Sequence, residues 1–234
     1  MNKFNFSFKD SEGIYTCAKQ IMLDFSVCDV TIKTGEAFSI EGLNIYSQGL
    51  EYNLAGDNLS IRYKTEKKLN IMNNIRPQKL EITLPNTFYD TVTINSNVGN
   101  LDVFDINCKS LTLYGGVGDI HLTNLLVEEK TNLSTNVGNL TSNNSSYANL
   151  NFYINVGDGK FYNCKVTGDC KIKGSIGKIK MNLYGDFSDY SFKTKTSIGN
   201  AIINGQRYNN ITTERKSNHF NISTNVGDIK ININ

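Results

Sequence analysis

The sequence predicts an all-β fold: a single-stranded parallel β-solenoid of the right-handed β-helix type, with about 20 residues per winding. Three observations predict it. A [Val/Ile]-Gly phrase recurs seven times at a nearly constant step, and the residues around it alternate with period two. The chain is also rich in residues that turn. Its 234 residues include 33 asparagines and 19 glycines but only two prolines, and Asn and Gly are the residues that tolerate positive φ.

The phrase is carried by Gly99, Gly118, Gly138, Gly157, Gly177, Gly199 and Gly227, each preceded by Val or Ile. Successive glycines lie 19, 20, 19, 20, 22 and 28 residues apart. Odd offsets before the glycine (Ile94, Leu113, Leu133, Phe152, Ile172) and even offsets after it (Leu101, Ile120, Leu140, Ile179, Ile229) are mainly apolar, with polar residues between. That is two strands, each with one buried face, joined at a tight turn. A glycine at its third position suits type II geometry. Pairs such as Ile106/Cys108, Leu125/Val127 and Cys164/Val166 predict a third strand in each repeat. Windings of this kind stack at strand spacing, ~4.8 Å, so that equivalent residues form columns and the inward columns form one core. An up-and-down barrel also alternates, but it does not need the same phrase at every other turn.

The ends are less regular. Residues 1–84 form an irregular β-rich N-terminal cap with degenerate windings, in which Ser26–Ile32 carries Cys28 at the glycine position and Ala55–Ile61 carries the phrase with one insertion. The segment Lys79–Pro85 reads as the strand leading into the regular solenoid of seven windings, residues 85–234. The long last interval holds a polar insertion, residues 206–218, with Arg207, Tyr208, Arg215 and Lys216 as its candidate interaction residues. The chain then stops in a strand. A bare final winding exposes unpaired backbone groups, so either the insertion covers it or a second subunit pairs with it.

This order of features resembles the bacterial putative-adhesin family, a domain of unknown function. The matching pieces are Asp29-Val30-Thr31-Ile32, Leu59-Ser60-Ile61, Ile82-Thr83-Leu84-Pro85 and the seven Gly-[Asn/Asp/Lys] turns, together spanning essentially the whole chain. The resemblance implies the fold, and its name implies cell adhesion.

Composition narrows the function classes. A net charge of +2 argues against a nucleic-acid partner, which requires a strong basic excess. Five cysteines without a C-x-x-C spacing disfavour a disulfide framework or zinc ribbon and predict free, mostly buried thiols. No apolar run is long enough for a transmembrane segment, and the N-terminus carries no export signal. By default this points to the cytoplasm, or to the cell surface if a leader was removed.

No catalytic site, metal site or cofactor is expected. The aspartates after the glycines alternate with asparagines, ~9–10 Å apart, too far to share calcium. His121 and His219 lie five windings apart and neither shows a nucleophile in register. Asn97, Asn136, Asn155 and Asn225 fall in one outward row suited to an amide ladder. The most specific surface feature is basic. Lys171 and Lys193 share one column and Lys173 and Lys195 another, with Lys160, Lys178 and Lys180 nearby, which predicts a strip of stacked ammonium groups for an anionic glycan or surface polymer. The expected function is a non-enzymatic adhesion or interaction scaffold. The alternatives are a cytoplasmic module self-associating end to end through its C-terminal winding, and a polysaccharide-active β-helix enzyme.

Overall fold

The computed structural model describes residues 6–64 and 77–234; Arg76, one of four scattered arginines, lies outside them. The fold is all-β, with three short 3-10 turns and no α-helix among the described residues. Most strand pairs are parallel and fall into two sheets around a single apolar core.

One sheet holds the strands that precede the turns. Its order is Asn58–Tyr63, Gln20–Val27, Phe88–Val98, Asn107–Val117, Leu126–Val137, Leu150–Val156, Asp169–Ile176, Asn218–Val226 and Tyr190–Ile198. The other holds the strands that follow them, in the matching order Lys79–Pro85, Asp29–Gly35, Leu101–Phe104, Ile120–Thr123, Leu140–Asn143, Gly159–Thr167, Ile179–Leu183, Ile229–Ile233 and Ala201–Ile203. The residues before the glycines, headed by Val27 before Cys28, stack in one unbroken column: Val27 on Val98, Val98 on Val117, Val117 on Val137, Val137 on Val156, Val156 on Ile176, Ile176 on Val226 and Val226 on Ile198. Short third strands pair too, with Asn107 facing Leu126, Leu126 facing Ser146 and Ser146 facing Lys165. Their inward residues Ile106, Cys108, Leu125, Val127, Cys164 and Val166 are buried.

The turn needs glycine for two reasons. The seven glycines have φ between 129° and 140°, well beyond the ~80° of the expected type II turn and accessible essentially to glycine alone. A Cβ on Gly138 would also lie 2.0 Å from the Gly118 carbonyl oxygen, and the other six glycines meet the layer below at 1.7–2.1 Å. This close approach lets each Gly N–H continue the ladder, as when Gly118 donates to the Val137 carbonyl at 3.0 Å.

The residue after the glycine has a structural task. Asn100 N–H donates to the Asp29 carboxylate, Asp119 N–H to the Asn100 side chain, Asn139 N–H to Asp119, Asp158 N–H to Asn139 and Lys178 N–H to Asp158, at 2.8–3.0 Å. The aspartates of this row thus accept backbone N–H groups. A second asparagine column stands at the opposite corner: Asp105, Asn124, Asn144 and Asn163 adopt left-handed φ of 51–59°. Of the expected outward amide ladder, Asn155 donates to Asn136 at 3.1 Å.

Three expectations about the ends are corrected. Gly56 does not turn between parallel layers; with Asp57 it closes a two-residue antiparallel hairpin, Ala55 facing Asn58, at an ordinary left-handed φ of 65°. The last strand, Ile229–Ile233, is not an edge. It pairs with Ile179–Leu183 on one side and Ala201–Ile203 on the other, so no end-to-end contact through the C-terminal winding is open. Stacking also departs from chain order, because the C-terminal repeat is wedged between the Gly177 and Gly199 repeats. The outer edge is Tyr190–Ile198, and the 206–218 insertion covers it. Gln206–Arg207 pairs antiparallel with Ile202–Ile203. Thr194 N–H donates to the Ile211 carbonyl at 2.9 Å, and Thr213 N–H to Phe192 at 2.8 Å.

Candidate functional site

The wedge divides the expected lysine strip. Lys171 and Lys193 both pair with Asn221, and Lys173 and Lys195 both pair with Ser223. Lysines expected on adjacent layers therefore stand two strands apart, ~9.6 Å, with a neutral residue between them. All four are exposed, and none forms an ion pair among the described residues. Lys160 and Lys180 belong to the other sheet, where Lys160 faces Lys180 and Lys180 faces Lys230. That contiguous column includes Lys230, which sequence order hid because it assigned the C-terminal repeat to the far end.

These two lysine groups differ in their partners. Lys160 is 3.1 Å from the Asp158 carboxylate, and Lys180 lies 5.1 Å above the Tyr162 ring, within cation–π range. Burial alone raises the Asp158 carboxyl, but the Lys178 N–H and the Lys160 ammonium outweigh it and hold the group below its usual range. Lys178 itself follows the turn and interrupts the Asn/Asp ladder.

The insertion residues face the outer edge. Tyr208 packs its ring 6.0 Å from Phe192 and donates its N–H to Ala201. Arg215 reaches Asp169 at 2.7 Å. Lys216 donates its backbone N–H to Ser191 Oγ at 3.0 Å and its ammonium to the Ser188 carbonyl. Arg207 remains exposed.

His219 does have a hydroxyl partner in register: its Nδ1 is 2.9 Å from Ser191 Oγ, with Asp169 on its other side. Ser191 is fully buried and receives the Lys216 N–H, so this contact fastens the covering segment. His121 pairs with Asp102 at 2.9 Å. Cys28, Cys108, Cys164 and Cys170 are buried free thiols. Burial pushes all four up, Cys28 and Cys108 to about 12, which removes the thiolate needed for reactivity. Among the described residues no group of metal-ligating residues occurs and no helix is long and apolar enough to cross a membrane.

The structure also shows an open groove of about 450 Å³ along the second corner, lined by Asn124, Leu126, Asn144, Ser146, Asn163 and Tyr184. The shared offset of the asparagines is visible in the sequence. Tyr184 arrives through an irregular connection and left no periodic signal.

Fold and surface together define a class: an all-β protein of mostly parallel repeats, with its polar chemistry displayed on outer columns. The Toastrack DUF4097 family model matches residues 18–196 and 105–232, and the chain belongs to this family. Among crystal structures it is similar to a putative adhesin from Parabacteroides distasonis ATCC 8503, at 13% identity and TM-score 0.53, covering 98% of this chain and 97% of that one. It is also similar to a putative cell adhesion protein from Clostridium sporogenes ATCC 15579, at 16% identity and TM-score 0.43 with full coverage of both chains. No curated protein matches.

Proposed function

We propose that this chain is a non-enzymatic interaction scaffold, a β-solenoid of roughly 20-residue windings, that binds an anionic glycan or surface polymer. In this reading residues 1–84 close one end, residues 85–234 form the display surface, and no cofactor takes part. The observation that carries it is the quartet Lys171, Lys173, Lys193 and Lys195: exposed, without ion pairs among the described residues, and spaced by Asn221 and Ser223. Like charges directly opposite on a sheet are destabilising. Neutral spacers lower that cost while leaving four cations for a repeating polyanion. The name of the Parabacteroides distasonis neighbour, a putative adhesin, supports an adhesive role.

The test uses immobilised polygalacturonate and long-chain polyphosphate as probes. Binding is expected to weaken at least tenfold between low salt and about 0.3 M, as screening shortens the Debye length. Reversing Lys171, Lys173, Lys193 and Lys195 to Glu abolishes it. Binding that is insensitive to both salt and charge reversal overturns the proposal.

A further inference from the structure

The Val/Ile residue before each turn glycine is a strand end by sequence, yet its side chain lies outside the core. These seven, with Val27 before Cys28, make a column of eight, from Val27 to Ile198, each 40–67% exposed. They follow one another at strand spacing across eight of the nine layers, counted from that of Val27, forming a continuous apolar ridge roughly 34 Å long. A contiguous patch of this kind approaches the largest a monomer usually keeps in water, ~300–600 Å². The row beside it is Asn97, Gly116, Asn136, Asn155, Ser175, Asn225 and Ser197, without a single charge. An apolar core with an uncharged hydrogen-bonding rim is the anatomy of a protein–protein interface.

We propose that the occupant is a second copy of this chain, laid antiparallel across a two-fold axis. The charges on the other side of the ridge favour that orientation. Asp29, Asp119, Asp158 and Asp228 follow the turns of the first, third, fifth and seventh layers and Lys178 follows that of the sixth, with asparagine after the rest. Antiparallel copies place the third layer over the sixth, so Asp119 meets Lys178, and they set every other aspartate over an asparagine: Asp29 over Asn200, Asp158 over Asn139 and Asp228 over Asn100. Parallel copies, related by an axis along the ridge, set the residues after the turns over the uncharged row, and Asp119 and Lys178 go unpaired. A bilayer, by contrast, is held by basic residues flanking the apolar face, and the first five layers place none after their turns, where Asn or Asp stands. A two-fold contact also repeats each pair twice. The ridge alone is smaller than the ~800 Å² per partner of a standard interface, so a micromolar dimer is expected rather than an obligate one.

Sedimentation equilibrium of the full chain from about 1 to 200 μM tests this. The wild type is expected to dimerise with a Kd of about 1–100 μM, weakened at least tenfold by the triple variant Val117→Thr/Val137→Thr/Val156→Thr. Threonine keeps the volume and β-branching but not the apolar surface. Lys178→Glu, which sets Glu against Asp119, is also expected to weaken the dimer, and adding Asp119→Lys restores it. The swap covers the case in which the threonine variant fails to fold. A monomer throughout the range, a dimer indifferent to both sets of changes, or flotation with phosphatidylcholine vesicles in place of dimerisation overturns the proposal. These variants leave Lys171, Lys173, Lys193 and Lys195 intact, so polyanion binding is read independently.

Discussion

Between Phe88 and Thr167 the repeats pair in the order of the chain; beyond Asp169 they do not. In the first region glycines are 19–20 residues apart, leaving the chain only enough length to lie against the layer it has just completed. In the second, the intervals lengthen to 22 and 28. The extra residues form a 3-10 turn, Phe187–Asp189, which carries the chain past one layer position, and the 206–217 connection, which brings it back. The vacated position is then filled by Asn218–Val226 and Ile229–Ile233. Connection length, more than the strand pattern, sets the stacking order. Placing the Gly199 repeat outermost also puts the 206–218 segment where an open sheet edge requires cover.

The largest expected effect sharpens this contrast at the turn. Gly138→Ala combines a φ of 136° with a Cβ 2.0 Å from the Gly118 carbonyl, inside a region paired on both sides. A loss of about 3 kcal/mol or more is expected. Gly199→Ala meets Gly227 at a similar 2.1 Å, but its strand is paired along its length on one side only, so a smaller loss is expected. Urea midpoints of the two variants measure the difference. Equal losses would mean that the outer layer is held as rigidly as the middle.

The contrast also explains what was legible in the sequence. The glycine column, the alternation and the third strands are local patterns, and each is present in the described layers. The wedge left only the lengthened intervals as its trace, because period-two alternation is the same for any stacking order. For that reason chain order hides Lys230 and sets Lys171 beside Lys193. The Ser191–His219 contact depends on the wedge as well, since His219 lies between Asp169 and Ser191 only when Asn218–Val226 is the middle strand.

A smaller effect follows from the Asn/Asp ladder. Asp158 sits between the regular and rearranged regions and accepts the Lys178 N–H at 3.0 Å. Its folded pKa lies below the unfolded value of about 3.9. The stability it contributes is therefore present above about pH 4 and is lost as pH falls through the folded value. Asp158→Asn keeps an acceptor for Lys178 and removes the titration. The variant is expected to match the wild type at neutral pH, apart from the lost Lys160 contact, and to lose less stability between pH 4 and pH 2. Denaturation midpoints across that range check this, and parallel acid profiles would count against the carboxylate's role.

The smallest effect reads the stacking order directly. Lys180 and Lys230 face each other on adjacent strands, so a double-mutant cycle with Lys→Gln should show a like-charge coupling of a few tenths of a kcal/mol, fading with salt. Lys171 and Lys193 are separated by Asn221, and their ~9.6 Å spacing exceeds the ~8 Å Debye length at physiological ionic strength. Their coupling should be close to zero there. If the second cycle instead gives the larger coupling, Tyr190–Ile198 lies directly on Asp169–Ile176 and the repeats follow chain order to the end. Two cycles on four surface lysines thus decide a question about the interior, because on stacked strands an outward pair is adjacent only when its backbones are.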